Sequence, residues 1–303
     1  MVMTNYIKKT RLTIVICLVI ILGGYIYTFA GENTKPLVLQ EMSWVDVQEY
    51  LKTCDMVIIP LGSTEQHGPH LPLGTDYYQA IEISKRISAR TGVVVAPVLM
   101  SGYSVYHSGF PGTLSLKPET MGEVLFETAE MLMKYGFQRF MFFSYHGGNK
   151  IVEDNVMHRI NHTTEAVAVR IGIFASFQER GEEPAPFDYH AGIGETSNML
   201  YLKPDLVKME RIEKPKITLT PKMQELQELG KEHPGLLDVM GALMGVPVET
   251  KKGGASHELS SNGIWTLGDP KTATKERGEK NVNQMVENAV KFIKAWKKAK
   301  NNP

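Results

Sequence analysis

The chain reads as an α/β protein: a three-layer α/β/α fold with a mostly parallel sheet, preceded by an N-terminal transmembrane or signal segment. Three observations predict this. From residue 44 onward, short apolar runs alternate with stretches of helical period. The apolar runs are near-continuous, as strands covered on both faces are. Residues 12–30 carry no charge and directly follow a basic cluster at Lys8, Lys9 and Arg11.

That first segment is long enough to cross a bilayer, and its basic flank predicts a cytoplasmic N-terminus. Thr28-Phe29-Ala30 is a passable small-residue cleavage site, so 1–31 reads as a signal anchor or a signal peptide. The rest is then expected outside the cytoplasm, either membrane-anchored or exported to a periplasm. A polar linker at 31–36 leads into one domain, 37–300. A helix at 44–52 precedes a strand at 56–61. Residues 76–90 form a helix with Ala80, Ile83 and Ile87 on one face. A strand at 93–98 runs into a long Gly/Ser/Tyr loop, 99–116. Pro118 opens the next helix and Gly136 closes it. Strands at 137–144 and 166–174 flank a turn at 145–149 and a helix at 150–162. Residues 178–188 form a polar loop. The less regular polar region 218–252 reads as an insertion or an oligomer contact. Val282, Met285, Val286, Ala289, Val290, Ile293 and Trp296 fall at helical spacing, so the domain closes with an amphipathic helix.

The 303 residues balance 33 basic against 33 acidic side chains, which gives no electrostatic footprint for nucleic acid. Cys17 lies in the apolar segment and Cys54 before the first strand, so neither a disulfide nor a CxxC site is expected.

The chemistry concentrates in loops that follow strands. After the strand at 56–61 comes Gly62-Ser63-Thr64-Glu65-Gln66-His67-Gly68-Pro69-His70, with Asp76 opening the next helix. Carboxylates and imidazoles this close form a ligand set for Zn²⁺, Mn²⁺ or Fe²⁺. Three further loops can meet it at the sheet edge: 107–113 with Phe110-Pro111-Gly112-Thr113, 144–149 with His146-Gly147-Gly148-Asn149, and 188–197 with His190-Ala191-Gly192 and Glu195-Thr196-Ser197. Asn149 is expected to cap the helix that follows it. Gly147 and Gly148 are expected to allow close backbone approach or positive φ. His70 reads as a supporting residue. His158, His162, His233 and His257 have no ligand-like spacing.

These motifs, with Gly268-Asp269-Pro270, Ala273-Thr274 and Gly278, resemble those of the creatininase (creatinine amidohydrolase) family over about residues 38–294. The resemblance implies a dinuclear-metal amidohydrolase that hydrolyses a C–N bond of a small amide, cyclic ones included, with a metal-bridging hydroxide. Carried over by position, Glu65 and His146 hold one ion, His67 holds the other, and Asp76 bridges both. Creatininases proper place a glutamate two residues after the histidine matching His146, where this chain has Gly148. Glu195 is then the residue that completes the second ion's shell; its other reading is a carboxylate stabilising a helix N-terminus. His190 matches the histidine that handles the leaving nitrogen's proton, with a structural histidine as the other reading. His107, Tyr145 and Phe177 are expected around the substrate, or, for His107, in stabilising its loop. Phe177 stands where creatininases proper carry a tryptophan, which points away from creatinine itself. Hydrolysis of a cyclic keto-sugar derivative and an inactive metal-binding scaffold are the alternatives. The family also implies two divalent ions per chain, a small-molecule substrate and a homo-oligomer, a hexamer by resemblance.

Overall fold

The computed structural model of the protein describes residues 35–97, 101–172 and 188–299. The described residues from 36 onward belong to one compact unit. The membrane or signal segment expected at 1–31 lies outside the described residues. Among the described residues, no helix is long and apolar enough to cross a membrane.

The elements are α1 (Trp44–Leu51), β1 (Met56–Leu61), α2 (Thr75–Thr91), β2 (Val94–Val95), α3 (Pro118–Tyr135), β3 (Arg139–Ser144), α4 (Lys150–Thr163) and β4 (Val167–Arg170). There follow β5 (Asp188–His190), α5 (Ile193–Leu202), α6 (Pro221–Glu232), α7 (Gly235–Leu243), α8 (Ser256–Leu259), β6 (Trp265–Thr266) and α9 (Lys275–Lys297). The main sheet is parallel throughout, in the order β2-β1-β3-β4.

Sequence chemistry accounts for the layers. Every residue of β1 is buried, because both faces are covered. Val57, Ile59, Leu61, Phe140 and Phe142 pack on one side with α3 and α4. Met56, Ile58, Met141 and Phe143 pack on the other with α2 and α9. Pro60 lies in this inner strand, where a missing N–H normally breaks a ladder. Ile58 faces β2, accepting from the Ala96 amide at 2.9 Å. Pro60 points the same way two residues on, past the last β2 pair, Ile58↔Val95.

Two expectations need correction. Residues 218–252 are not irregular: they contain α6 and α7. Their helical signal is weak because α6 buries only Met223 and Gly230 and α7 buries nothing, so few apolar anchors mark a face. Asp188, expected in a loop, begins β5, which pairs antiparallel with β6. That pairing joins segments almost eighty positions apart, which local pattern cannot reveal.

Candidate active site

The strand order reverses between β1 and β3: β2 lies on one side of β1, and the chain then crosses to the other. In open α/β sheets, ligands bind in the crevice at the C-terminal ends of such a strand pair. Glu65 and His67 follow β1, and His146 follows β3. Asp76 and Glu195 lie in the first turns of α2 and α5, and His190 ends β5. Glu65, His67, Asp76, His146 and His190 are buried, and Glu195 is half-buried.

These side chains converge. Asp76 divides its carboxylate, with Oδ1 3.2 Å from His67 Nε2 and Oδ2 3.2 Å from His146 Nδ1. Glu65 Oε2 lies 3.2 Å from the same His146 Nδ1. Glu195 Oε2 lies 3.8 Å from His67 Nε2. Candidate ligand atoms of Glu65, His67 and Asp76 all fall within 4.8 Å of one another, as do those of His67, His190 and Glu195.

Backbone carbonyls set the imidazole tautomers. His67 Nδ1–H donates to Glu65 O at 3.1 Å, and His146 Nε2–H donates to Tyr103 O at 2.9 Å. His190 Nε2–H donates to Gln66 O at 2.7 Å. Each ring therefore turns its other nitrogen, a lone pair in the neutral form, toward carboxylate oxygens. That is the outer-sphere pattern of metal-binding histidines. Asp76 Oδ2 is buried and makes no well-formed hydrogen bond, although His146 Nδ1 is 3.2 Å away. An electron-pair acceptor between these groups resolves the contact, so the residues fit divalent ions. His107 is arranged the opposite way. Its Nδ1 faces donors, Ser256 Oγ at 2.7 Å and Gln66 Nε2 at 3.0 Å. Its Nε2–H therefore points to Glu65 Oε1 at 3.3 Å and orients that carboxylate.

The electrostatics agree. Burial alone raises the Glu65 carboxyl, but the imidazoles of His107, His146 and His67 hold it well below the usual range. Burial opposes charge on His67, yet Asp76 and Glu195 lift it to about 10. His146 is likewise raised, by Glu65 and Asp76 against its burial. Burial pushes Glu195 up to about 8. Burial, with the neighbouring His67 and His107, depresses His190, and burial takes His107 down to about 4. Without metal, this cluster of carboxylates collects protons on His67 and His146 as substitutes for cationic charge.

A cavity of about 230 Å³ opens beside the cluster. Its walls include Tyr103, Tyr106, Tyr189, Trp265, His107 and His190. His107 thus lies where expected for a substrate-pocket residue. Tyr145 does not. It continues the Met141–Phe143 face of β3 into the α2/α9 side of the core and accepts a hydrogen bond from Asn198 Nδ2 at 2.5 Å. Phe177 lies outside the described residues. Asn149 occupies the N-cap position of α4, but its side chain makes no cap hydrogen bond. Its Nδ2 donates to Gly62 O at 3.0 Å and its Oδ1 accepts from the Tyr103 amide at 3.1 Å, tying together three site loops. Gly148 has no positive φ, but a Cβ there would collide with Tyr103 O, His146 Nε2 and Tyr106 Oη. His70 supports the site by bonding Thr196 Oγ1 at 2.9 Å. The wall residues Tyr103 and Tyr106, in one loop, and Trp265, far along the chain, carry no periodic or motif signal in the sequence. Gln66 was inside the motif, and its exchange of bonds with His107 and His190 shows only in three dimensions.

Fold and cluster together define a parallel-sheet α/β protein with a buried group of carboxylates and imidazoles that could hold metal. Comparisons narrow the class. The family model described as Creatininase: Creatinine amidohydrolase matches residues 40–293. A mycofactocin precursor peptide peptidase of Mycolicibacterium smegmatis is 32% identical, over 81% of this chain and 87% of that protein. The 3-dehydro-scyllo-inosose hydrolase of Thermotoga maritima is 31% identical over 59% of this chain, and the match spans 60% of that enzyme's length. A crystal structure of creatinine amidohydrolase superposes with a TM-score of 0.67 at 24% identity, covering 88% of this chain and 100% of the other. The chain belongs to the creatininase family of amidohydrolases.

Proposed function

We propose that the protein is a dinuclear-metal amidohydrolase that cleaves a C–N bond in a small amide, cyclic amides included. The observation that carries this reading is the divided carboxylate of Asp76, with one oxygen toward His67 and the other toward His146. Glu65 and His146 would hold one ion, His67 and Glu195 the other, and Asp76 both; Zn²⁺, Mn²⁺ and Fe²⁺ all suit these donors. Divalent ions here would lower the pKa of water toward neutrality and polarise a carbonyl.

The chain's own residues supply the rest. His190 is buried, held below its ordinary value by that burial and by His67 and His107, and fixed through Nε2, so its Nδ1 is placed to take the proton given up by the attacking water and pass it to the departing nitrogen. The Tyr106 hydroxyl lies 3.3 Å from His146 Nε2, whose proton is already given to Tyr103 O. Its own proton is therefore free for a polar atom of the substrate. Burial, then the nearby Glu65 charge, raises Tyr106 well above its ordinary value, so it stays a donor. The N-terminal segment fits an export signal or anchor, so the domain would work outside the cytoplasm on a substrate met there, in a homo-oligomer.

The test is metal content of the full chain, purified in detergent without chelators, beside Asp76→Ala. About two divalent ions per wild-type chain, lost in the variant, support the reading. One ion or none after metal supplementation overturns it. Assaying the loaded protein on cyclic amides, formamides, short peptides and cyclic keto-sugars then separates C–N cleavage, which frees an amino group, from keto-sugar hydrolysis, which frees none.

A further inference from the structure

Behind the site, on its core side, four polar side chains meet beside an apolar layer. Asn198 Nδ2 donates to Gln79 Oε1 at 2.9 Å and to the Tyr145 hydroxyl at 2.5 Å. Asn281 Nδ2 of α9 donates to Asn198 Oδ1 at 3.3 Å. Asn198 and Gln79 are buried, and Tyr145 packs against the apolar cluster that includes Ala80, Ile83, Phe143 and Val282. Apolar side chains would fill this space without the desolvation that amides suffer there.

The positions of these residues give the network a role. Gln79 lies one helical turn after Asp76 on α2, and Asn198 one turn after Glu195 on α5. Residues three apart share a helix face, so each amide sits directly below a candidate ligand carboxylate. Tyr145 is the residue before His146. The two bonds that Asn198 Nδ2 donates therefore pin together the three elements that carry Asp76, Glu195 and His146. Asn281 braces the junction from α9, whose Gly278 allows α5 to approach: a Cβ there would collide with the Ser197 backbone.

We propose that Asn198, with Gln79 and Tyr145, is a positioning device that fixes the spacing between the ligand carboxylates of α2 and α5 and the imidazole after β3. The proposal rests on the metal-site reading above. No member of the triad touches a metal or the substrate. They act by holding first-turn carboxylates and a loop histidine at coordination distance, as outer-sphere partners of metal sites do.

The test measures metal affinity of the full chain by Mn²⁺ competition with a chromophoric chelator, and the melting temperature of the chelator-stripped protein. Wild type is compared with Tyr145→Phe, Asn198→Ala and the double variant. Outer-sphere losses run about 10- to 100-fold in affinity. Asn198→Ala should fall in that range and Tyr145→Phe below it. The double variant should match Asn198→Ala, because the two changes remove one shared bond. Affinities within about twofold of wild type with a lowered melting temperature would mean ordinary core packing and overturn the proposal. If Asn198→Ala does not fold, Tyr145→Phe decides, since it removes one hydroxyl and keeps the ring. A wild-type chain that binds no Mn²⁺ overturns the metal reading itself, an outcome distinct from variants that bind as well as wild type.

Discussion

Glu195, Tyr106 and His190 carry the predictions that belong to single residues. Glu195 joins two readings the sequence left open. Its Oε2 accepts from the Ala191 amide at 2.6 Å, holding a non-glycine residue at φ 51°, and lies 3.8 Å from His67 Nε2. Local strain of this kind gathers at functional sites. Glu195→Gln keeps an oxygen for the amide but loses the charge, so metal content should drop from about two ions to about one, by elemental analysis of the folded variant. Tyr106→Phe should retain its metal and lower kcat/KM about fivefold, the worth of about 1 kcal/mol for one hydrogen bond. An unchanged kcat/KM would remove Tyr106 from substrate contact. His190→Ala should keep both ions and lose most turnover, about 100-fold or more for a lost proton carrier.

At the scale of elements, the site depends on how closely loops approach one another. Gly147 and Gly148 are adjacent in sequence and opposite in consequence. A Cβ on Gly147 would meet only the Tyr189 hydroxyl at 3.8 Å, an ordinary contact. A Cβ on Gly148 would lie 2.5 Å from His146 Nε2 and 2.6 Å from Tyr106 Oη. Gly147→Ala should therefore leave melting temperature and metal affinity nearly unchanged. Gly148→Ala should cost about 1–3 kcal/mol by overpacking and weaken metal binding by displacing His146. Thermal melts and a Mn²⁺ titration of the pair check this. The same crowding leaves no room for a carboxylate at position 148, whereas α5 brings Glu195 to within 3.8 Å of His67, on the Oδ1 side of Asp76.

At the scale of the whole molecule, the cluster couples stability to pH and metal. His67 in the metal-free fold has its pKa raised to about 10 and Glu195 to about 8. Groups raised above their unfolded values, about 6.5 for His and 4.3 for Glu, stabilise the fold at low pH. That stability is lost as pH rises through the folded values. The chelator-treated protein should therefore melt progressively lower between about pH 7 and pH 10, and added metal should flatten the decline, because binding already releases those protons. A decline of equal slope with and without metal would place the titrating groups elsewhere. Much of this was legible beforehand. Strands β1 and β3 and helices α2, α3, α4 and α9 follow from apolar runs, helical period and Pro/Gly punctuation, because those signals are local. Glu65, His67, Asp76, His146, His190 and Glu195 were legible as motif residues, because metal chemistry confines such sites to a few side-chain types. Their convergence was not. Asp76 reaches two imidazoles only because β1 and β3 are neighbours, and Glu195 joins them only because α5 packs against α2 and α9. Tyr145, expected near the substrate, packs against the α2/α9 core instead, because alternation along β3 sends it there while its neighbour His146 enters the site. The sequence by itself determined the fold class and the kinds of chemical group available. Only the tertiary structure decided which of them meet, because the distances that make a site are set by packing between segments far apart in the chain.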